Sequence, residues 1–149
     1  MAEFALAVPF EGIVETVGIP NDLPAHVTVL YPAPGDAVEV AKVLAPFDPF
    51  DVVFTRVDRF PGVLWLAPEP AEPFVAMTEA MIERFPEHPP YGGAYASIIP
   101  HLTVAQTQLD ETAALVEPLL PLRSFVDRVV LYTSTDGAHW HEHATFDLG

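Results

Sequence analysis

The chain has 149 residues, half of them hydrophobic, which suffices for one domain with a buried core and excludes a disordered chain. Its charge is lopsided: 6 Lys plus Arg against 21 Asp plus Glu, a formal net charge of −15. With only Lys42, Arg56, Arg59, Arg84, Arg123 and Arg128 to neutralise phosphates, a groove for long nucleic acid is excluded, and a small, uncharged or singly charged ligand fits better.

Phe4 to Val8 reads as a first strand; the apolar start MAEFALAVPF has neither the basic leader nor the cleavage site of a signal peptide, so a cytoplasmic protein is expected. Nowhere is there a run of about 18 apolar residues, so no membrane association is expected, and the lack of cysteine excludes disulfides and thiolate chemistry. Glu11 to Val17 is expected as a short helix ended by Gly18 and Pro20. His26 to Tyr31 is a strand, with Tyr31 pointing into the core, closed by Pro32 and the Pro34-Gly35 turn signal. Asp36 stands where an N-cap belongs, and Val38, Ala41, Leu44 and Ala45 follow at helical spacing until Pro46. Phe50 to Val57 and Val63 to Ala67 are strands about a Pro61-Gly62 turn. Ala71 to Phe85 is the clearest helix, with an apolar stripe of Phe74, Met77, Met81 and Phe85. Pro86 to Ala94 is a Pro/Gly-rich loop, and Ser97 to Ala105 holds a further strand. Asp110 to Leu120 is a helix stopped by Pro121, Phe125 to Thr133 a strand, Asp136-Gly137 a turn and His139 to Phe146 the last strand.

One phrase occurs twice. His26-Val27-Thr28-Val29 and His101-Leu102-Thr103-Val104 each set a histidine and a threonine two residues apart in a β-branched run. In a strand such residues share a face, so each phrase offers one imidazole and one hydroxyl on one side and two apolar side chains on the other. Adding 75 to a residue number carries His26 onto His101, and also Thr28 onto Thr103, Leu44 onto Leu119, Pro46 onto Pro121, Phe50 onto Phe125, Gly62 onto Gly137 and Trp65 onto Trp140. The match needs no gaps and keeps two rare residue types and the turns in register. The chain is therefore expected to be a single bilobal domain, residues 1–149, with an internal repeat. The expected fold class is α+β: two pseudo-symmetric lobes of antiparallel sheet with outer helices, and the duplicated His-x-Thr-x strands facing a central cleft.

Two histidines across a cleft suit general acid–base catalysis, because an imidazole titrates near pH 6.5 and one ring can be a free base while the other carries a proton. The threonines on the same faces can donate O–H bonds where charge builds on non-bridging oxygens. Phosphoryl transfer from a strained phosphodiester needs these parts and no metal or cofactor. A single histidine in a strand is ordinarily a satisfied core residue; the repeated pair is what points to a site. Tyr91 and Tyr95, beside Gly92 and Gly93, either stack a base or anchor the loop. His139, His141 and His143 alternate in the last strand and could bind zinc, but no Asp, Glu or Cys is spaced to complete a first shell, so a solvated face backed by Trp140 and Phe146 is expected. Arg56, Arg59 and Arg128 are the candidate phosphate-steering cations.

The HVTV and HLTV pair, half a chain apart, resembles the signature of the two-histidine phosphoesterase superfamily, the 2′-5′ RNA ligase and cyclic phosphodiesterase group, over essentially the whole chain. The resemblance implies that His26 and His101 are catalytic, that Thr28 and Thr103 hold the phosphate, and that the substrate is a 2′,3′-cyclic or 2′-5′-linked nucleotide phosphodiester handled without metal. The scarcity of basic residues favours a small nucleotide or cyclic phosphate over a short RNA end, and hydrolysis over 2′-5′ ligation. A non-catalytic nucleotide-binding module of the same fold is the alternative. A monomer is expected, and which histidine is acid and which is base stays open.

Overall fold

The computed structural model describes residues 2–89 and 98–149. In chain order the elements are β1 (Glu3–Pro9), β2 (His26–Leu30), α1 (Ala37–Leu44), β3 (Phe50–Phe60), β4 (Val63–Glu69), α2 (Glu72–Arg84), β5 (Leu102–Ala105), α3 (Leu109–Val116), β6 (Leu122–Val126), β7 (Arg128–Ser134) and β8 (His141–Asp147). The strands form one sheet in the order β6-β3-β4-β5-β2-β1-β7-β8, and every pairing of neighbouring strands is antiparallel. The class is α+β, as the element pattern predicts. The two strands that carry the repeated phrase, β2 and β5, are neighbours at the centre, with three strands outside each.

Each half of this sheet draws on both halves of the sequence. The β3–β4 hairpin, which follows the first motif, pairs with the strand of the second. The strands β7 and β8, which follow the second motif, flank β1 and so serve the first. The expected strand Phe125 to Thr133 shows how this is possible. It is divided at Asp127 into β6, at one edge of the sheet, and β7, second from the other edge. Six inter-strand steps of about 4.8 Å separate those places along a flat sheet, far beyond the reach of one linking residue at about 3.8 Å per Cα step. The sheet is therefore curled until its outer strands meet at Asp127. The hydrophobic core fills the curl: Phe54 and Val126 from one half join Leu131 and Phe146 from the other, together with Val27, Val29, Leu102 and Val104 of the central strands.

The helices close the core. In α1, Asp36 caps the N-terminus by accepting the Glu39 N–H at 3.2 Å, and Val40 and Leu44 are buried. In α2, Phe74, Met77 and Met81 recur on one face and are fully buried. Each such side chain contributes about 1.5–3 kcal/mol through apolar burial. Between Phe74 and Met81 the buried Thr78 hydroxyl donates to the Val29 carbonyl of β2 at 2.7 Å, so α2 is tied to a central strand by a polar bond inside an apolar layer. The expected helix Asp110–Leu120 begins at Leu109 and ends at Val116. Pro118, which lacks an N–H, sits in the short 3-10 turn Glu117–Leu119 that follows.

The expected helix Glu11–Val17 does not form. Gly12 and Gly18 lie at φ +76° and +69°, and Val17 pairs instead with β5: its N–H donates to the Val104 carbonyl at 2.8 Å and its carbonyl accepts from Gln106 N–H at 3.0 Å. Gly18 allows this approach, because a Cβ there would fall 2.1 Å from the Thr107 hydroxyl oxygen. Tyr31 also departs from expectation. It is half-buried, its hydroxyl donating to Glu3 at 3.0 Å, because the chain leaves the strand at Leu30. No helix among the described residues is long and apolar enough to cross a membrane.

Replacing Thr78 by the near-isosteric valine leaves the Val29 carbonyl without its donor. Thr78→Val is expected to lower unfolding stability by about 1–3 kcal/mol, read as a shifted denaturant midpoint at unchanged slope. A midpoint equal to wild type would show that the bond between helix and strand contributes nothing.

Candidate active site on the central strands

The strands β2 and β5 share one registered pair, Val27 opposite Leu102. In an antiparallel ladder opposed residues point to the same face, so one step either side sets His26 opposite Thr103 and Thr28 opposite His101. Val27 and Leu102 face the core. The two histidines and two threonines therefore share the other face, each imidazole across from the other motif's hydroxyl. The histidines lie on a diagonal, about 7–8 Å apart in a regular ladder. All four side chains are half-buried. The sequence pattern alone predicts this pairing of types, and the register supplies the geometry.

Each ring is held in the same way. His26 Nδ1 lies 2.7 Å from the Pro24 carbonyl oxygen and His101 Nδ1 lies 2.8 Å from that of Ile99, in both cases two residues upstream. A carbonyl only accepts, so Nδ1 carries the hydrogen and donates, and in the neutral ring Nε2 keeps its lone pair for a ligand. Burial disfavours the imidazolium and pulls both histidines below their usual value. The backbone carbonyl opposes that shift at each ring, and at His26 a charge on His101 lowers it further.

The flanks differ. Beside His101 stand Phe60 and Trp65, whose rings meet the imidazole edge-on at centroid distances of 5.1 and 5.8 Å and stack on each other at 4.8 Å. Trp65 faces Thr103 in register. The Arg56 guanidinium lies 5.9 Å from the Trp65 ring and pairs with Asp58 at 2.6 Å. On the other side Ala7 faces Thr28, Val130 faces Ala7, and Tyr132 packs with both against Leu23 and Trp140. Burial pushes the Tyr132 hydroxyl up to about 12, with Glu142 and Glu11 adding to the shift and Arg128 opposing it. Arg128 is itself held by Glu11 at 3.1 Å. The Trp65 indole N–H and the Tyr132 hydroxyl are buried without a hydrogen-bond partner among the described residues.

Of the three candidate cations, Arg56 and Arg128 flank the motif face, whereas Arg59 pairs with Asp110 at 2.8 Å. Tyr91 and Tyr95 lie outside the described residues. The His139, His141 and His143 series is not one face. His139 stands before β8, its Nδ1 2.6 Å from Asp136, and burial is not what moves it: the Asp136 carboxylate holds its titration up. His143 packs edge-on to Phe4 at 5.3 Å, next to a register shift between β7 and β8 that breaks the alternation. Among the described residues no group of three His, Cys, Asp or Glu is placed to hold a metal ion. Sequence reasoning missed Phe60 and Tyr132. A signal existed for Phe60, which is two residues beyond Asp58 on the strand face leading into the Pro61-Gly62 turn. Tyr132 carried none, because the pairing of β7 with β1 is not local.

Residues 18–138 match the model of the 2′-5′ RNA ligase superfamily. No curated protein matches the chain. Among solved structures the fold is similar to Escherichia coli LigT in its apo form, with a TM-score of 0.64 at 16% sequence identity over 99% of this chain and 98% of that one. It is similar also to LigT complexed with 3′-AMP (TM-score 0.60, 13% identity, 98% and 97% covered) and with NADP+ (0.61, 13%, 98% and 96%). At these identities the structures speak for the fold, and the family model, matched over most of the chain, speaks for descent: the chain belongs to the 2′-5′ RNA ligase superfamily.

Proposed function

We propose that this chain is a phosphodiesterase that hydrolyses a small 2′,3′-cyclic or 2′-5′-linked nucleotide phosphodiester by two-histidine acid–base catalysis. The observation that carries the reading is the pair of imidazoles on one sheet face, each with Nδ1 tied to a backbone carbonyl and Nε2 left for the ligand. One Nε2 takes a proton from the attacking water as oxygen bonds to phosphorus. The other, protonated, gives its proton to the departing ribose oxygen as the P–O bond breaks. Thr28 and Thr103 donate to the non-bridging oxygens, where positioning and charge stabilisation supply the rest of the acceleration. Acid, base and oxygen donors all come from the chain, so the reaction runs without a metal or cofactor. The nucleotide ligands of LigT, 3′-AMP and NADP+, support a small nucleotide as the ligand class. The repeated motif, with its two similarly held rings, supports a duplicated origin for the two half-sites.

His26→Ala and His101→Ala are each expected to lower turnover of a 2′,3′-cyclic nucleotide by about 10²–10⁴-fold, with chelator present throughout. Wild-type rates in both variants across a panel of cyclic and 2′-5′-linked substrates would sink the reading. Binding of the same nucleotides with no product from wild type over hours would favour a non-catalytic binding module.

Catalysis needs one ring protonated and one neutral, and both folded-state values lie below the usual one. The pH profile of kcat/KM is therefore expected to be bell-shaped, with its maximum below about pH 6.5. Stability should follow the same groups. Below about pH 6.5 the unfolded chain binds protons that the folded rings refuse, so stability falls as pH drops through that window and is fully present above it. Replacing both histidines by glutamine should flatten this slope in pH-dependent denaturant melts, and an unchanged slope would count against buried, neutral rings.

A further inference from the structure

We propose that Asp22 is a positioning residue for His26: it ties the segment bearing the Pro24 carbonyl to the β7–β8 turn, and through that carbonyl decides which ring nitrogen His26 presents to the ligand. The proposal rests on reading His26 as one of the acid–base pair. From Phe10 to Ala25 the chain between β1 and β2 has no helix or strand of its own, and it is closed at its base by the Phe10 N–H donating to Ala25 at 2.7 Å. A connection of that length holds a carbonyl in place only if it is anchored.

Val17 fixes the middle of the connection on β5, and the side chain that anchors the part next to Pro24 is that of Asp22. Its N–H donates to the Ala138 carbonyl at 3.2 Å, and its Oδ1 accepts the Trp140 N–H at 2.7 Å. Both partners belong to the turn between β7 and β8, far away in sequence. That turn is rigid in its own right, because Asp136 Oδ1 accepts the N–H groups of Ala138 and His139 at 2.9 and 2.8 Å. Next to Asp22, the Leu23 N–H donates to Asn21 at 3.1 Å, and the Leu23 side chain packs with Trp140 on the Ala7, Val130 and Tyr132 cluster. The fixed segment then delivers the Pro24 carbonyl to His26 Nδ1. The titratable groups along this path are Asp22, Asp136 and His139, whose titration is held up by Asp136 first and Asp22 after it. Across the strands His101 is the titratable group that acts on His26. Partners of this kind, one bond removed from a functional imidazole, fix its tautomer and orientation.

The test is the ring ¹⁵N shifts of His26 and His101 in wild type, Asp22→Ala and Asp22→Asn, followed through the titration, alongside hydrolysis of a 2′,3′-cyclic nucleotide. Wild type should hold the Nδ1–H tautomer at both rings. In Asp22→Ala, His26 should become a mixture of tautomers and titrate lower, having lost the acceptor that favours its charged form, while His101 stays as in wild type. Turnover should fall about 10–100-fold with KM within about twofold. Asp22→Asn keeps the Oδ1 acceptor and should match wild type in every readout. The proposal is overturned if Asp22→Ala leaves the His26 tautomer and titration unchanged, if both histidines move alike, or if asparagine is as damaging as alanine. Should Asp22→Ala not fold, Asp22→Glu displaces the acceptor by one methylene and takes its place, with the same His26-only response required. The ring shifts need no substrate. A His26 response in a protein with no hydrolytic activity would therefore sink the proposed function and leave the positioning role standing.

Discussion

Everything on the motif face depends on one cross-strand pair, Val27 with Leu102. A strand's side chains alternate, so this register and its core-facing pair put both histidines and both threonines on the same side. A slip by one residue would turn one motif's imidazole and hydroxyl into the core and bring two apolar side chains out. The apolar pattern forbids the slip: Val27, Val29, Leu102 and Val104 all lie in the central cluster, and exchanging them for half-polar neighbours would bury a titratable ring without a partner. The same hydrophobic burial that folds the sheet thus aligns the functional groups.

So short a pairing needs support from outside, and three elements supply it. Behind the strands, α2 reaches β2 through the Thr78 hydroxyl. At the end of β5, Val17 takes the place beside Val104 and Gln106 where β2 has not yet begun. At the far side, the outer strands are joined through Asp127 around the shared core. The two imidazoles accordingly sit where few backbone bonds run between the halves, while the scaffold around them is fixed. Their own orientation comes from upstream carbonyls, and no carboxylate among the described residues raises their titration against burial.

The elements with strong local signals were legible in the residues: the strands around the His-x-Thr phrases, the capped helix after Asp36, and the Phe74, Met77, Met81 stripe. So was the conjunction of two imidazoles and two hydroxyls, because it follows from a period of two and an apolar reverse face. What escaped was set by partners distant in sequence. The Glu11–Val17 stretch has helical composition, yet the edge of β5 claims Val17, and the glycines at either end permit it. The run through Phe125 looks continuous because both of its parts are extended; only the curl of the sheet makes Asp127 a corner. The histidines of the last strand alternate on paper, and a register shift against β7 undoes the alternation. Phe60 and Tyr132 acquire their positions from strand order, which no local pattern encodes.

The interleaving of strands has a consequence for how this chain comes into being. Only one half of the sheet is a contiguous stretch of sequence: the half holding the second motif, β3 to β6, lies within residues 50–126, whereas the half holding the first needs β1 and β2, made first, and β7 and β8, made last. As the chain leaves the ribosome, β2 waits on its inner side for β5, and β1 waits on its outer side for β7. A product that ends before β7 therefore holds every strand of the second motif's half, and lacks two strands of the first's. The two motifs, however alike, differ in this: the strands around the second are all present by Val126, and those around the first only when the last strand arrives.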